Sequence, residues 1–365
     1  MNAEHIYAST IPQAVTLISR IGHKRTVVME GDMGEGKSSA LAAIGEKHPD
    51  HILCYFDCTT KVPGDITIPK IQHMDDGTGY VKYLTNEELG VHLGVKLILM
   101  IDEVGKAERE ILNGLLRLML ERKIGDYTLH PESIVFATSN LGAENLGDTL
   151  PAHACNRVTR LRLKKQANME WLANFAIPNG LDPVLCGWAK DNPALFQSFS
   201  DVQNPDDNPY IYHPQAPSGS QFVTPRSLHA ASDILLEREH LDDDLLTNAL
   251  IGTIGASGAK ALMAFVKLGD DLPSLQSIKD DPHNATIPSK DATVCMVVYR
   301  SLQSMNREWV DAWMIYMARL DTEAQGLFVH GARHAKYPHR NAVMSNSRFT
   351  DWCRNNGYMF SSDKK

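Results

Sequence analysis

Short apolar runs alternate with amphipathic stretches over roughly the first 160 residues of the chain. Runs of this length that end in turn signals are typical of buried strands. They lie at residues 26–29, 51–56, 96–101 and 133–138. Between them, the periodicity of residues 38–44 and 108–122 predicts helices, the second with its apolar side chains on one face. Strands that alternate with helices predict a mainly parallel sheet covered on both faces, the α/β fold class.

The pattern becomes mostly helical in the second part of the chain. Residues 197–221 are rich in Pro, Ser, Asn and Asp, and predict a long loop. A helix start follows, with Thr224 as the N-cap and Pro225 as the first helical residue. A second predicted loop covers residues 279–290. These changes predict three domains, at residues 1–163, 164–278 and 279–365.

Composition places the chain among globular proteins. Of its 365 residues, 43% are hydrophobic and 22% are charged, which excludes a disordered or collagen-like chain. No uncharged apolar run reaches the roughly 18 residues that a membrane-spanning helix requires. The first residues lack a basic region followed by an apolar stretch, so no secretory signal is visible. We therefore expect a cytoplasmic protein without a membrane segment.

Charge and cysteine usage exclude two further classes of site. The formal net charge is −8, from 36 Lys and Arg against 44 Asp and Glu, which argues against a surface that coats nucleic acid non-specifically. Cys54 and Cys58 are spaced C-x-x-x-C with no second pair behind them, so a zinc site is not predicted. Reduced thiols are the simpler interpretation of the six scattered cysteines.

A glycine-rich segment follows the first predicted strand. Residues 31–38 read Gly-Asp-Met-Gly-Glu-Gly-Lys-Ser, which fits G-x-x-x-x-G-K-[ST] between a strand and a helix. Glycines let backbone N–H groups surround a phosphate, and in this chemistry Lys37 contacts the β- and γ-phosphates of ATP while Ser38 binds Mg²⁺. The predicted nucleotide-binding residues are Gly31, Asp32, Met33, Gly34, Glu35, Gly36, Lys37, Ser38 and Ser39.

Two acids end the third apolar run. Asp102 and Glu103 follow the residues Leu-Ile-Leu-Met-Ile at 97–101. The carboxyl end of a buried strand in an open α/β sheet is where ligands bind. Downstream of a phosphate-binding loop, Asp102 is expected to hold Mg²⁺ through water, and Glu103 to orient and polarise the attacking water. The alternative is a strand that ends in a solvated acidic turn.

These motifs together resemble those of the AAA+ ATPases and, more narrowly, the MoxR-like branch with its insert in the second helix. The resemblance runs from residue 25 to about residue 266. Residues 108–116 are similar to the helix after the acidic strand, residues 125–131 to the next β-hairpin, and residues 65–83 to the insert. It implies an AAA+ core on a P-loop parallel sheet, an all-helical lid over residues 164–278 and a helical C-terminal extension.

The resemblance also gives roles to two polar residues downstream of the acidic pair. Asn140, which ends the sequence Ala-Thr-Ser-Asn at 137–140, resembles the polar residue called sensor 1. Residues 150–157 resemble the segment that carries the arginine finger, a residue that completes the site of the adjacent subunit. Arg157 is the expected finger, and Arg160 is the alternative within a basic run that otherwise forms a solvated face.

The resemblance also makes Arg226 the expected sensor 2 residue, because residues 222–227 resemble the start of the sensor 2 helix. A cation in the first turn of a helix opposes the helix dipole, and a phosphate partner would explain it. Whether Arg226 acts on its own nucleotide or on that of a neighbour stays open. The chain departs from the family at Glu35, where a small or apolar residue is usual, and at residues 104–106, where many relatives carry an Asn-Arg pair.

A finger that acts between subunits implies an oligomer, which the resemblance makes a homo-hexameric ring. The expected function is hydrolysis of Mg-ATP coupled to remodelling of a protein partner or complex. A von Willebrand factor A domain protein is the partner that MoxR-like proteins suggest. A nucleic-acid translocase and an ATP-controlled assembly switch stay open as alternatives. The acidic net charge favours a protein partner or a switch over nucleic acid.

Overall fold

The computed structural model describes residues 8–140, 155–215, 219–269 and 272–357. The chain divides into two compact units, Met1–Lys165 and Gln166–Lys365. The strands of the first unit are β1 Val27–Gly31, β2 Ile52–Asp57, β3 Thr67–His73, β4 Gly79–Thr85, β5 Leu97–Asp102, β6 Lys123–Ile124, β7 Tyr127–Thr128, β8 Ile134–Asn140 and β9 Thr159–Arg162. Its helices are α1 Ile11–Ile21, α2 Ser39–Gly45 and α3 Arg109–Glu121.

Five of these strands form one parallel sheet in the order β2-β5-β8-β1-β9. The register pairs Gly31 with Asn140 and Asp57 with Asp102, so the carboxyl ends of four strands meet at one edge. The other strands form two antiparallel hairpins, β3–β4 and β6–β7. The α/β fold class predicted for this part of the chain is therefore confirmed.

The central position of β5 in the sheet explains why its sequence is continuously apolar. Leu99 packs in a cluster with Leu115 of α3 on one face of the sheet. On the opposite face, Met100 packs with Ala40 and Ile44 of α2. Successive side chains of a strand point to opposite faces, so a central strand covered on both sides is apolar throughout.

Two elements of the first unit were missing from the pattern-based prediction. Helix α1 begins with a capping box, in which Thr10 N donates to Gln13 Oε1 at 2.9 Å and Gln13 N donates to Thr10 Oγ1 at 3.3 Å. Strand β9 is a sheet edge rich in arginine, which hides it from an apolar-run criterion. The segment that resembles the insert, residues 65–83, includes the β3–β4 hairpin. The resemblance places this insert within a helix, whereas residues 58–96 contain only short 3₁₀ turns around the hairpin and no α-helix.

The second unit is helical, as predicted, and its described residues contain no strand. Its helices are α4 Asn168–Trp171, α5 Pro183–Asp191, α6 Pro225–Leu236, α7 Asp243–Gly269, α8 Leu275–Asp280, α9 Asp291–Ser304, α10 Val310–Met317, α11 Thr322–Arg333, α12 Arg340–Met344 and α13 Ser347–Asn355. One hydrophobic cluster extends from Trp171 to Phe349. The predicted lid and extension thus contribute to one core, and the domain boundaries stay predictions.

Helix α7 is the one helix among the described residues that is long and apolar enough to cross a membrane, by length and composition alone. Its backbone is broken at Gly255, where φ is 79°. Leu250, Ile254 and Leu262 of this helix lie in the hydrophobic cluster of the second unit. A core helix passes the same length and composition test, so the expected cytoplasmic location stays a prediction.

Candidate functional site

The glycine-rich segment forms a tight connection from β1 to α2. Gly34 and Gly36 have φ angles of 73° and 82°, in the left-handed region that glycine adopts without strain. The turn directs Lys37 back to the end of β1, where its Nζ donates to the carbonyls of Gly31 and Asp32, both at 2.8 Å. Ser38 precedes α2 with an exposed side chain that makes no capping hydrogen bond. The loop therefore presents a lysine and a free hydroxyl side by side, as the motif requires.

Lys37 also connects this loop to the neighbouring strand β8. Its Nζ donates to Asn140 Oδ1 at 2.8 Å, and both side chains are buried, with 8% and 5% of their surface exposed. Burial lowers the pKa of Lys37. The amide nitrogen Nδ2 of Asn140 has no hydrogen-bond partner among the described residues. A buried donor without a partner costs about 1–3 kcal/mol, so this position suits an incoming oxygen, such as that of a phosphate or a water.

Asp102 lies half-buried at the end of β5 and is held by two hydroxyl groups. Tyr55 of β2 donates its hydroxyl to Asp102 Oδ2 at 2.7 Å, and Thr138 of β8 donates to Asp102 Oδ1. A carboxylate fixed by two neighbouring strands differs from the solvated acidic turn that was the alternative. Neither hydroxyl could be predicted from the sequence, because both contacts depend on the lateral order of the strands.

Glu103 follows in an unusual backbone conformation. Its φ of 51° and ψ of 41° lie in the left-handed region, which a residue other than glycine seldom adopts. The Glu103 N–H donates to Thr138 Oγ1 at 3.0 Å, which supports this turn. The carboxylate forms an ion pair with Lys106, Oε2 to Nζ at 2.6 Å. Thr138 thus contacts both acids of the motif.

The donor set suits magnesium together with a nucleotide. Alternation along β5 places Asp102 on the same face as Met100, which packs against α2, and Ser38 immediately precedes that helix. Mg²⁺ prefers oxygen ligands and commonly shares them with substrate phosphates. No three His, Cys, Asp or Glu side chains within the described ranges come together as a metal site on their own. Ser38 and Asp102 would hold Mg²⁺ with phosphate oxygens, and the ion would neutralise phosphate charge.

Glu35 is the feature of the loop that departs from the family pattern. Its Oε1 is buried without a hydrogen-bond partner among the described residues. Burial, with a contribution from nearby Asp32, raises the pKa of Glu35 to about 7, although Lys165 and Lys37 act in the opposite direction. The carboxyl group is therefore neutral below this pH and gains its charge above it.

We expect ATP affinity to fall as the pH rises through about 7, because ionised Glu35 repels the phosphates. The variant Glu35→Gln should match the wild type at pH 6 and bind ATP up to about tenfold more tightly at pH 8, since at one pH unit above its pKa only about a tenth of Glu35 keeps its proton. Dissociation constants at pH 6, 7 and 8 measure this difference. Glu110→Gln, which changes an exposed acid in α3, is the matched control. Identical pH profiles for wild type and Glu35→Gln would exclude this role.

The two candidate finger arginines have different surroundings. Arg160 forms a two-pronged ion pair with Glu30 of β1, Nε to Oε1 at 2.6 Å and Nη2 to Oε2 at 2.9 Å. Arg157 is exposed and makes no hydrogen bond or ion pair with any described residue. Of the two arginines, Arg157 is the one without a partner among the described residues, and its role as a finger stays a prediction. The remainder of the predicted finger segment, residues 150–154, lies outside the described residues.

Arg226 occupies the second position of helix α6, as the sequence predicted. Thr224 caps the helix by accepting from Ser227 N at 3.0 Å, and Pro225 is the first helical residue. The Arg226 side chain is exposed and has no partner among the residues that the structure describes. Its action on a nucleotide stays a prediction.

No protein-family model matches the chain, and no curated protein is significantly similar to it. Similar solved structures include a proposed ATPase from Cytophaga hutchinsonii, with 13% identity and a TM-score of 0.33, covering 70% of this chain and 88% of that one. Two single-residue variants of RuvB from Thermotoga maritima have identities of 14% and 13% and TM-scores of 0.34 and 0.32; each match covers 71% of this chain and 69% of theirs. This likeness is distant, at no more than 14% identity.

Proposed function

We propose that this protein is an AAA+ ATPase that hydrolyses Mg-ATP. The observation that carries the proposal is the contact between Lys37 and Asn140 at the carboxyl edge of the sheet. It joins the ammonium of the phosphate-binding loop to the oxygen of a side chain amide whose nitrogen is buried and has no hydrogen-bond partner among the described residues. Such a pair suits an anionic ligand between β1 and β8.

The site divides the chemistry among its residues. The backbone of residues 34–38 would hold the phosphates, and Ser38 and Asp102 would hold Mg²⁺. Glu103 orients and polarises the water that attacks the γ-phosphate in line, and Asn140 helps to place that water. Glu103 Oε2 is paired with Lys106, so this ion pair competes with the water for the carboxylate.

The variant Lys37→Met tests the proposal most directly, because it keeps the aliphatic part of the side chain and removes the ammonium. We expect the wild type to release phosphate from ATP when Mg²⁺ is present, and Lys37→Met to lose both tight ATP binding and turnover. Phosphate release and binding of a fluorescent ATP analogue measure the two effects. Lys47→Met, which changes an exposed lysine of the same unit, should behave as wild type. An inactive wild type, or an active Lys37→Met, would contradict the proposal.

We further infer a MoxR-type homo-hexameric ring that couples ATP turnover to remodelling of a protein partner, such as a von Willebrand factor A domain protein. The motif resemblance, the exposed Arg157 and the net charge of −8 support this inference. ATPase rates with and without DNA, at low and moderate salt, test it against a translocase. Strong stimulation by DNA that salt removes would favour a nucleic-acid substrate instead.

A further inference from the structure

Each oxygen of the Asp102 carboxylate accepts a hydrogen bond from a different neighbouring strand. Thr138 of β8 donates to Oδ1, and Tyr55 of β2 donates to Oδ2 at 2.7 Å. Thr138 is fully buried, and its hydroxyl also accepts from Glu103 N at 3.0 Å. Tyr55 belongs to an edge strand that carries none of the sequence motifs of the site.

The strand register explains how Tyr55 reaches this carboxylate. In the parallel pair β2–β5, Tyr55 lies opposite Met100, two residues before Asp102. Residues opposite each other in a sheet point to the same face, so Tyr55, Met100 and Asp102 share the face that packs against α2. Long side chains lean along the strand, which brings the Tyr55 hydroxyl to the Asp102 oxygen.

We propose that Tyr55 is a positioning residue for the magnesium ligand Asp102, and that Tyr55 and Thr138 together fix the rotation of its carboxylate. A carboxylate has about four acceptor positions, and these two bonds occupy one on each oxygen. The remaining positions are then fixed on the face of β5 on which Met100 packs against α2. This inference rests on the proposed function, since it requires the ion to bind with a nucleotide.

The Tyr55 side chain contributes little to the hydrophobic core, so packing does not explain why its hydroxyl contacts Asp102. Its side chain is 44% exposed at the edge of the sheet, so the ring contributes little to the core. Residues that hydrogen-bond a metal ligand typically change metal affinity by 10–100-fold when their donor is removed. The hydroxyl of Tyr55 is thus expected to control affinity for the ion more than stability of the fold.

The variant Tyr55→Phe removes this hydroxyl and keeps the ring. Mn²⁺ serves as a paramagnetic substitute for Mg²⁺, and electron paramagnetic resonance measures its binding to the protein with a non-hydrolysable ATP analogue. We expect Tyr55→Phe to weaken Mn²⁺ binding about tenfold. Affinity for the analogue in the presence of a chelator should not change. The matched control is Tyr80→Phe, which removes an exposed hydroxyl of the β3–β4 hairpin that has no partner among the described residues.

Substitutions at Thr138 test the second donor. Thr138→Ser keeps the hydroxyl and should retain Mn²⁺ affinity, whereas Thr138→Val keeps the shape and should lose it. Unchanged Mn²⁺ affinity in Tyr55→Phe, with the analogue still bound, would overturn the positioning role and leave the proposed function intact. A wild type that binds no analogue would overturn both. A lower unfolding temperature with unchanged Mn²⁺ affinity would identify the bonds as structural only.

Discussion

Replacing Arg157 with alanine is expected to lower ATP turnover by about 10³–10⁵-fold, equivalent to about 4–7 kcal/mol of activation free energy, while ATP binding survives. An arginine finger stabilises the charge that develops on the transferred phosphoryl group, so its loss affects the transition state and not the bound substrate. Arg157 is exposed and has no partner among the described residues, which leaves its guanidinium available to an adjacent subunit. Steady-state phosphate release and ATP affinity separate the two effects.

Arg160→Ala is the matched control for this experiment. It removes the ion pair with Glu30, in which the side chain of Arg160 is half exposed, so we expect a small effect on stability and near wild-type turnover. Loss of turnover in Arg160→Ala, with normal turnover in Arg157→Ala, would transfer the role to Arg160.

A mixture of two inactive variants shows whether Arg157 acts between subunits. In a ring of Arg157→Ala and Lys37→Met protomers, some interfaces combine the intact Lys37 of one subunit with the intact Arg157 of its neighbour. An equal mixture should recover activity at about a quarter of its interfaces if the finger acts between subunits. No recovery in a mixed ring would show that Arg157 acts within its own chain.

The sequence predicts the parts of the site whose signals are local. The glycines and Lys37 need only their spacing between a strand and a helix, and the acids need only a buried strand before them. The structure places them as expected, with Lys37 at the end of β1 and Asp102 at the end of β5. The Thr10–Gln13 capping box is also local, and the buried residues Ala14, Val15 and Ile18 follow it at helical spacing, so the sequence contains the signal for α1 although α1 was not predicted.

Contacts between distant residues could not be predicted in this way. Tyr55 reaches Asp102 only because β2 lies beside β5, and the order of strands in a sheet is not written in the spacing of residues. The predicted domain boundary between residues 278 and 279 rests on a loop in the sequence, and it stays a prediction. In the structure, helices on both sides of that loop pack closely together. Gly187 of α5 lies so near α9 that a Cβ added to it would be 2.8 Å from Met296 Cγ.

The second large effect is expected for Glu103→Gln, which should retain ATP but hydrolyse it about 10²–10⁴-fold more slowly. Glutamine keeps the shape of the side chain, and the backbone bond from residue 103 to Thr138 Oγ1 stays available. What is lost is the carboxylate that polarises the attacking water. Single-turnover hydrolysis, together with the nucleotide retained after gel filtration, measures this trapped state.

Because Glu103 also pairs with Lys106, the loss of the carboxylate has to be separated from the loss of the ion pair. Lys106→Met removes the pair and keeps the carboxylate. The two side chains are 29% and 31% exposed, so the pair contributes little to stability. We expect turnover in Lys106→Met to equal or exceed that of the wild type, because no cation then competes with the attacking water for the Glu103 carboxylate. Normal turnover in Glu103→Gln would refute its role as base, whereas equal losses in both variants would show that the ion pair itself is required.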